Sequence, residues 1–539
     1  MSNALKNVNK KVTAQTERSR TDEIKNNAGG YVFQVSDKSR LERFLILGTD
    51  GGTYYANEKK ITGESVKFLT DLIHADEDLV RNTIVEVSTN GRAYKNSPAL
   101  FALALLFTEG KNKAATRSIF DNIARTSTHV FEFAQYIENL GGWGRAKKGA
   151  IADWYTNKSE NDLSYQAIKY RQRDGWTHRD LFRLSHPVGI NQEIGNFVLG
   201  KAHESNNETI KGFESLQKAG SVKDVLSILN TNKNLPWEAI PTQFLTDADV
   251  WKTLFYNGQL NGQALIRNIV RLARNGALND INFAKDYAAK LTDLEMIKRT
   301  KLHPINYLNT VVTYEEGQVD RKGYGGFHGY ARNKDWTTSS VIIDALNDGY
   351  ILSFKAVESA GKRTFIGVDV SGSMSSSALG IDLSCAQVSG AMAMTIARTE
   401  PAHTIMGFTS AGYNRYETGM TDLGISSRTS LSSAMEKVRL SNFGATDCSL
   451  PMLYAAKNNI EVDTFVIITD NETYDGKVKP FQALKEYRNK TGINAKLAVL
   501  GVSSTGFTIA DPEDQGMMDF VGFDSNAPKI LADFSAGRI

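Results

Sequence analysis

The sequence predicts a multidomain protein in which an all-α region of short helices is followed by an α/β domain with a doubly wound parallel sheet. Three observations lead there. The chain has 539 residues, 41% of them hydrophobic and 23% charged, enough for more than one buried core at the usual ~150 residues per domain. From about Ser39 to about Asn309, apolar residues recur at three- and four-residue spacing in helix-length blocks. From Thr364 onward, short β-branched runs alternate with helix-length blocks, the order that builds a parallel sheet covered on both faces.

Residues 1–30 are polar, with Lys6, Lys10, Lys11, Arg18, Arg20 and Lys25 set against Glu17, Asp22 and Glu23, and they read as a flexible or peripherally packed basic arm. Residues 31–360 form the helical region. Its apolar stripes include Leu41, Phe44 and Leu45; Val66, Leu69, Leu72 and Ile73; and Val130, Phe133, Ala134 and Ile137. Ser97 before Pro98 reads as an N-cap with proline at the first helical position. No fixed repeat period emerges, and a solenoid of helix pairs and a globular bundle fit this succession equally well. Tyr314 to Asp335, with Gly317, Gly323, Gly325, Gly326 and Gly329, reads as a long connection, followed by a helical block near Ser340 to Asn347. Residues 361–539 form the α/β domain. Strands are expected at Thr364–Val370, Thr404–Thr409, Thr464–Thr469 and Lys496–Val502, and helices at Leu383–Ala397, Leu431–Leu440, Leu450–Asn458 and Phe481–Lys490.

The longest apolar stretch, Ala99 to Phe107, falls far short of the ~20 residues that cross a bilayer, and the first thirty residues hold no apolar signal core. No membrane association is expected. Cys385 and Cys448 have no metal-site spacing, and a reducing, cytoplasmic setting is expected. Residues 361–539 carry 16 Lys+Arg against 19 Asp+Glu, which leaves 47 against 41 for residues 1–360. The helical part is therefore where a polyanion surface is to be sought.

The first β-branched run leads into Asp369-Val-Ser371-Gly-Ser373-Met, a carboxylate and two hydroxyls that one tight loop can place together. Thr446 lies in a loop before a helix, and Asp470 ends the run from Phe465 to Thr469. Three loops at one sheet edge thus offer two carboxylates and three hydroxyls, a hard-oxygen set suited to Mg²⁺ or Mn²⁺. This pattern resembles the von Willebrand factor A domain and its metal-ion-dependent adhesion site across about Lys362 to Ile539. The resemblance implies that Asp369, Ser371, Ser373, Thr446 and Asp470 surround a divalent cation, with an open position for a carboxylate or phosphate. No nucleophile elbow, P-loop or His-Glu-x-x-His motif accompanies it, so catalysis is not expected.

Between Lys169 and His186 the chain reads KYRQRDGWTHRDLFRLSH, with Lys169, Arg171, Arg173, Arg179 and Arg183 against Asp174 and Asp180, and Tyr170, Trp176 and His178 interleaved. On a helix Lys169 and Arg173 would share a face, as would Arg179 and Arg183. Cations beside planar rings suit single-stranded nucleic acid; a solvated basic helix face over buried aromatics gives the same pattern. The segment from Trp143 to Lys148 is a second such cluster.

Arg40-Leu-Glu-Arg-Phe-Leu, Gly51-Gly-Thr-Tyr-Tyr, Ala150-Ile-Ala-Asp-Trp-Tyr, the KYRQR stretch, Thr446-Asp-Cys-Ser-Leu-Pro-Met, Thr469-Asp-Asn-Glu-Thr and Gly506-Phe-Thr-Ile-Ala-Asp-Pro follow one another in an order that resembles the Ro ribonucleoprotein autoantigen family. The resemblance implies a TROVE module, a HEAT-like helical-repeat ring closed by a von Willebrand factor A domain. It further implies a monomeric, non-enzymatic scaffold that binds small noncoding Y RNA on its basic outer surface and takes single-stranded ends of misfolded RNA through a central hole. RNA quality control and stress survival are the implied roles. Polynucleotide phosphorylase or another exoribonuclease is the implied protein partner. By motif position Lys169, Arg173 and His186 match the family's RNA contacts. The alternative is a protein-interaction module whose A domain grips an acidic partner residue through the cation.

Overall fold

The computed structural model describes residues 12–48, 58–202, 206–316, 335–354, 358–378, 381, 383–411, 418–441 and 444–539. The glycine-rich connection at 317–334, the Gly51 motif and the first eleven residues of the arm lie outside the described residues.

The helical region runs from the helix Asp37–Leu47 to the helix Ser340–Leu352. Short helices pack on their near neighbours: Glu160–Lys169 on Glu208–Gln217, that helix on Val222–Thr231, and the next on Ala248–Tyr256. Each buries one stripe of the periodicity seen in sequence. Phe107, Phe120 and Phe133 form one edge-to-face cluster with centroids 4.9–6.3 Å apart, and Trp154 and Trp251 are fully enclosed. Such neighbour-only packing is that of a solenoid. The array nonetheless closes on itself, because a His303 ring nitrogen meets the Arg92 carbonyl at 3.1 Å. One expected detail is corrected. The helix Ser97–Glu109 is entered from Asn96, with Pro98 in its first turn, and Ser97 is inside the helix. Asn96 gives no side-chain cap because its amide is already engaged by Ser88 Oγ (2.6 Å) and donates to the Ile123 carbonyl (2.9 Å).

The α/β unit is built on strands β5 (Thr364–Asp369), β6 (His403–Phe408), β7 (Met420–Asp422), β8 (Thr464–Thr469), β9 (Lys496–Gly501) and β11 (Met517–Val521), in the order β11-β9-β8-β5-β6-β7. All neighbours are parallel except β6 and β7, so the sheet departs from the expected all-parallel form at one edge. Alternate residues separate two cores. Ile366, Val368, Val466 and Ile468 face one that is continuous with the helical array, while Phe365, Phe465, Ile467 and Leu497 face the other. The chain leaves β5 for β6 on one side and returns to β8 on the other. This switch point opens a crevice beyond the carboxyl ends of β5 and β8, where ligands bind in such sheets.

Residue 30 is not a boundary in the fold. β1 (Glu23–Lys25) pairs with β2 (Tyr31–Gln34), and β2 pairs with β10 (Phe507–Thr508), so the amino-terminal segment completes a small antiparallel sheet with the α/β unit. At the junction with the helical array, buried Arg43 donates to the carbonyls of Thr505 and Phe507 (2.8 Å each) and to Asp519 Oδ1 (2.5 Å). Arg92 makes a comparable pair with Asp524. On the other side, Asn347 Oδ1 accepts from the Leu431 amide and Thr395 Oγ1 bonds to the Tyr350 hydroxyl. Both ends of the array therefore rest on the α/β unit. No described helix is long and apolar enough to cross a membrane.

Candidate metal centre and nucleic-acid interface

Asp369 is the last residue of β5 and Asp470 the first beyond β8, so adjacent parallel strands bring the two carboxylates to one crevice. Asp369 Oδ1 accepts from the Ser371 amide (2.9 Å) and Oδ2 from Thr469 Oγ1 (2.6 Å). The turn that follows sets Ser371 Oγ 3.1 Å from Ser373 Oγ, and Ser373 bonds to Asp470. The Gly372 amide donates to the Gly444 carbonyl (3.1 Å), drawing the Thr446 loop alongside. All five side chains predicted for the cation are buried.

The electrostatics of this pocket call for positive charge. Burial and mutual repulsion push the Asp369 carboxyl up, and burial pushes Asp470 up. Neighbouring Glu472 is pushed up to about 8, by burial first and Asp470 second. No Lys or Arg is among the leading influences on Asp369 or Asp470. Thr446 Oγ1 is buried without a hydrogen-bond partner among the described residues. An unsatisfied buried hydroxyl beside uncompensated carboxylates costs free energy that a hard divalent cation would offset. The donor set fits such an ion. Among the described residues no three His, Cys, Asp or Glu come together to hold a metal, so the donor set here is two carboxylates completed by hydroxyls.

The second candidate surface differs from its sequence expectation. Lys169 ends the helix Glu160–Lys169, whereas Arg173 lies on β3 (Gln172–Arg173), paired with β4 (Trp176–Thr177). They do not share a helix face, because Asp174 and Gly175 both take positive φ (51° and 82°) and turn the chain back in a two-residue hairpin. Lys169 is half-buried, its Nζ 3.2 Å from the Tyr165 hydroxyl and over the rings of Tyr165 and Tyr170. His178 is not a stacking ring: it is buried against Phe131 and hydrogen-bonds the Tyr155 hydroxyl at 2.8 Å. The exposed cations are Arg171, Arg173, Arg179 and Arg183, the last two on the helix His178–Ser185. His186 ends that helix in the left-handed conformation, exposed. The other basic cluster joins this surface, since the Trp143 and Trp176 rings lie 5.3 Å apart, with Arg145 exposed beside them.

The TROVE domain model matches residues 24–224 and 198–325, and the Ro60 vWA domain model matches residues 363–535. A protein named RNA-binding protein RO60 from Deinococcus radiodurans is 36% identical over the full length of both chains. The chain belongs to the Ro family. A Caenorhabditis elegans relative of the same name is 29% identical across 98% of this chain and 92% of its own length. The crystal structure of the Deinococcus radiodurans Ro (RSR) protein superposes with a TM-score of 0.65 at 33% identity, covering 94% of this chain and all of that one.

In this Ro-family chain two further cations join the surface that sequence reasoning missed. Arg125 is partly buried, donating to Ser88 Oγ (2.8 Å) and the Asn122 carbonyl (3.0 Å), with no carboxylate among the described groups that act on it. It acts on exposed Lys301 from across the closure of the array, and Arg125 and Arg173 both act on His129. Burial, then these two arginines, hold His129 neutral at about 3. Arg125 and Lys301 are 176 positions apart by their numbers, with no local motif to link them.

Proposed function

We propose that this chain is a non-enzymatic RNA-binding scaffold that holds small noncoding Y-type RNA on its basic outer surface and accepts single-stranded ends of misfolded RNA, in RNA quality control and stress survival. The observation that carries this reading is the set of exposed cations on the hairpin and the helix after it, Arg171, Arg173 (3.4 Å from Asp174), Arg179 and Arg183, with Arg125 acting on Lys301 and Arg125 and Arg173 both acting on His129, on a chain of this family. Such cations meet phosphates, which position a strand, while single-strandedness and duplex shape supply selectivity. Lys169 is proposed to contribute from its half-buried place between Tyr165 and Tyr170, and Arg173 and His186 as exposed contacts. The protein is proposed to act as a cytoplasmic monomer, with an exoribonuclease such as polynucleotide phosphorylase reached through the RNA.

The α/β unit is proposed to hold Mg²⁺, or Mn²⁺, through Asp369, Ser371, Ser373, Thr446 and Asp470, because these residues supply hard oxygen donors and too little positive charge. Bound there, the cation supplies an electrophilic position for an external carboxylate or phosphate. That favours a second role in which an acidic partner residue docks on the same unit. Isolating the protein from its host, with and without nuclease, and sequencing the associated RNA tests the first reading. Discrete small RNAs are expected, and their absence, with protein partners retained after nuclease, would replace it with the second.

A further inference from the structure

We infer that the amino-terminal segment is part of the metal-site apparatus, with Gln15 a positioning residue that sets the Thr446 loop against the Asp470 loop. This rests on the cation reading above. Gln15 is fully buried. Its Nε2 donates to Asp447 Oδ1 (2.7 Å) and to the Val478 carbonyl (2.9 Å), and its Oε1 accepts from Thr473 Oγ1. Asp447 adjoins Thr446, and Thr473 belongs to the loop that Asp470 begins. One amide side chain therefore clasps both loops. Asp447 Oδ1 is also held by the Ser449 hydroxyl and amide, so its position is fixed from both sides.

The rest of the segment repeats the contact. Asn26 Nδ2 donates to the carbonyls of Asn471 (3.2 Å) and Thr473 (2.8 Å), and Asn27 Nδ2 and the Ala28 amide hold the two Glu472 oxygens (2.8 and 3.0 Å). Two glycines make room for it. A Cβ at Gly30 would overlap the Thr473 carbonyl, and one at Gly476 would overlap Gln15 Nε2 and Asp447 Oδ1. Lys479 and Glu23, both buried, pair at 3.0 Å to anchor β1 beside these loops. Groups that orient ligand-bearing loops change metal affinity when removed, and by linkage the cation stabilises the segment to the same degree that the segment stabilises the cation.

Mn²⁺ titration of the full chain, read by the electron paramagnetic resonance of the free ion, tests this with Gln15→Ala and Asp369→Ala beside the parent. Gln15→Ala is expected to bind Mn²⁺ about tenfold more weakly with RNA affinity unchanged, and Asp369→Ala not at all. A second measurement needs no strap variant. Mn²⁺ should slow tryptic cleavage after Arg18 and Arg20 in the parent and leave it unchanged in Asp369→Ala. Equal Mn²⁺ affinity for Gln15→Ala and parent, with no protection of Arg18 and Arg20, would overturn the strap while leaving the cation site standing. A parent that takes up no Mn²⁺ would overturn both.

Discussion

Arg92 and Asp524 lie 432 positions apart and meet through two hydrogen bonds, from Nε (2.9 Å) and Nη2 (2.7 Å), to one carboxylate oxygen. Both side chains are almost wholly buried, at 5% and 2% exposure. The Arg92 carbonyl lies 3.1 Å from His303 Nε2. A single residue thus touches the early helices of the array, a later turn of it at His303 and the α/β unit.

Asp524→Ala leaves a buried guanidinium with Glu42 and Glu86 as its carboxylate partners among the described residues. Removing one member of such a pair costs about 3–5 kcal/mol. The first transition in urea denaturation should move down accordingly. A change under 1 kcal/mol would show that the junction is held by its apolar core alone.

RNA binding should depend on Arg173 and Arg125 more directly than on Lys169, whose ammonium is shared by two tyrosines. Arg173→Ala and Arg125→Ala are each expected to reduce the salt slope of binding by about 0.7 for a single-stranded contact, and Lys169→Ala to weaken binding with a smaller change in slope. Fluorescence anisotropy across a salt series reads both quantities. Equal slopes for parent and the arginine variants would remove these residues from the interface.

The part of the stability that depends on three buried histidines should fall with acid, while the raised Asp369 and Glu472 carboxyls act in the opposite sense. Burial holds His178 and His303 at about 4 and His129 at about 3, all below the ordinary 6.5. The unfolded chain takes up protons first, so the stability these rings contribute is complete above pH 6.5 and is lost as pH falls toward 4. Each contributes on the order of 2 kcal/mol of that loss by pH 5. Urea midpoints of the parent and His178→Asn at pH 7 and pH 5 isolate the histidine contribution: the stability gap between parent and variant should shrink at pH 5, and a gap that does not change with pH would remove it.

Divalent cation binding should vanish in Asp369→Ala and weaken in Thr446→Val, which deletes the buried hydroxyl that lacks a partner. RNA affinity should be retained in both, since the cation crevice and the basic surface lie on different units. Calorimetry with Mg²⁺ reads the first effect. An undiminished heat of binding in Asp369→Ala would exclude this crevice as the site.

Where the signal was local, sequence reading placed the residues well. The four expected strands lie within one residue of β5, β6, β8 and β9, because β-branched runs bounded by polar turns leave little choice of register. Asp369, Ser371 and Ser373 occupy one turn, so their convergence was legible. The Lys169–Arg173 helix face was misread although the cue was present: Asp174-Gly175 between two short extended pairs is a hairpin turn signal. The clasp of Gln15 on Asp447, and the pairs Arg43–Asp519 and Arg92–Asp524, span more than 400 positions and carry no periodicity or motif. Tertiary packing alone selects those partners.

The pairing of β2 with β10 has a consequence for biosynthesis. Gln34 leaves the ribosome long before Phe507. At ~5–20 residues per second the wait is on the order of half a minute to a minute and a half. Throughout that interval the newly made hairpin edge lacks its third strand, so the nascent chain needs shielding from self-association until translation is nearly complete.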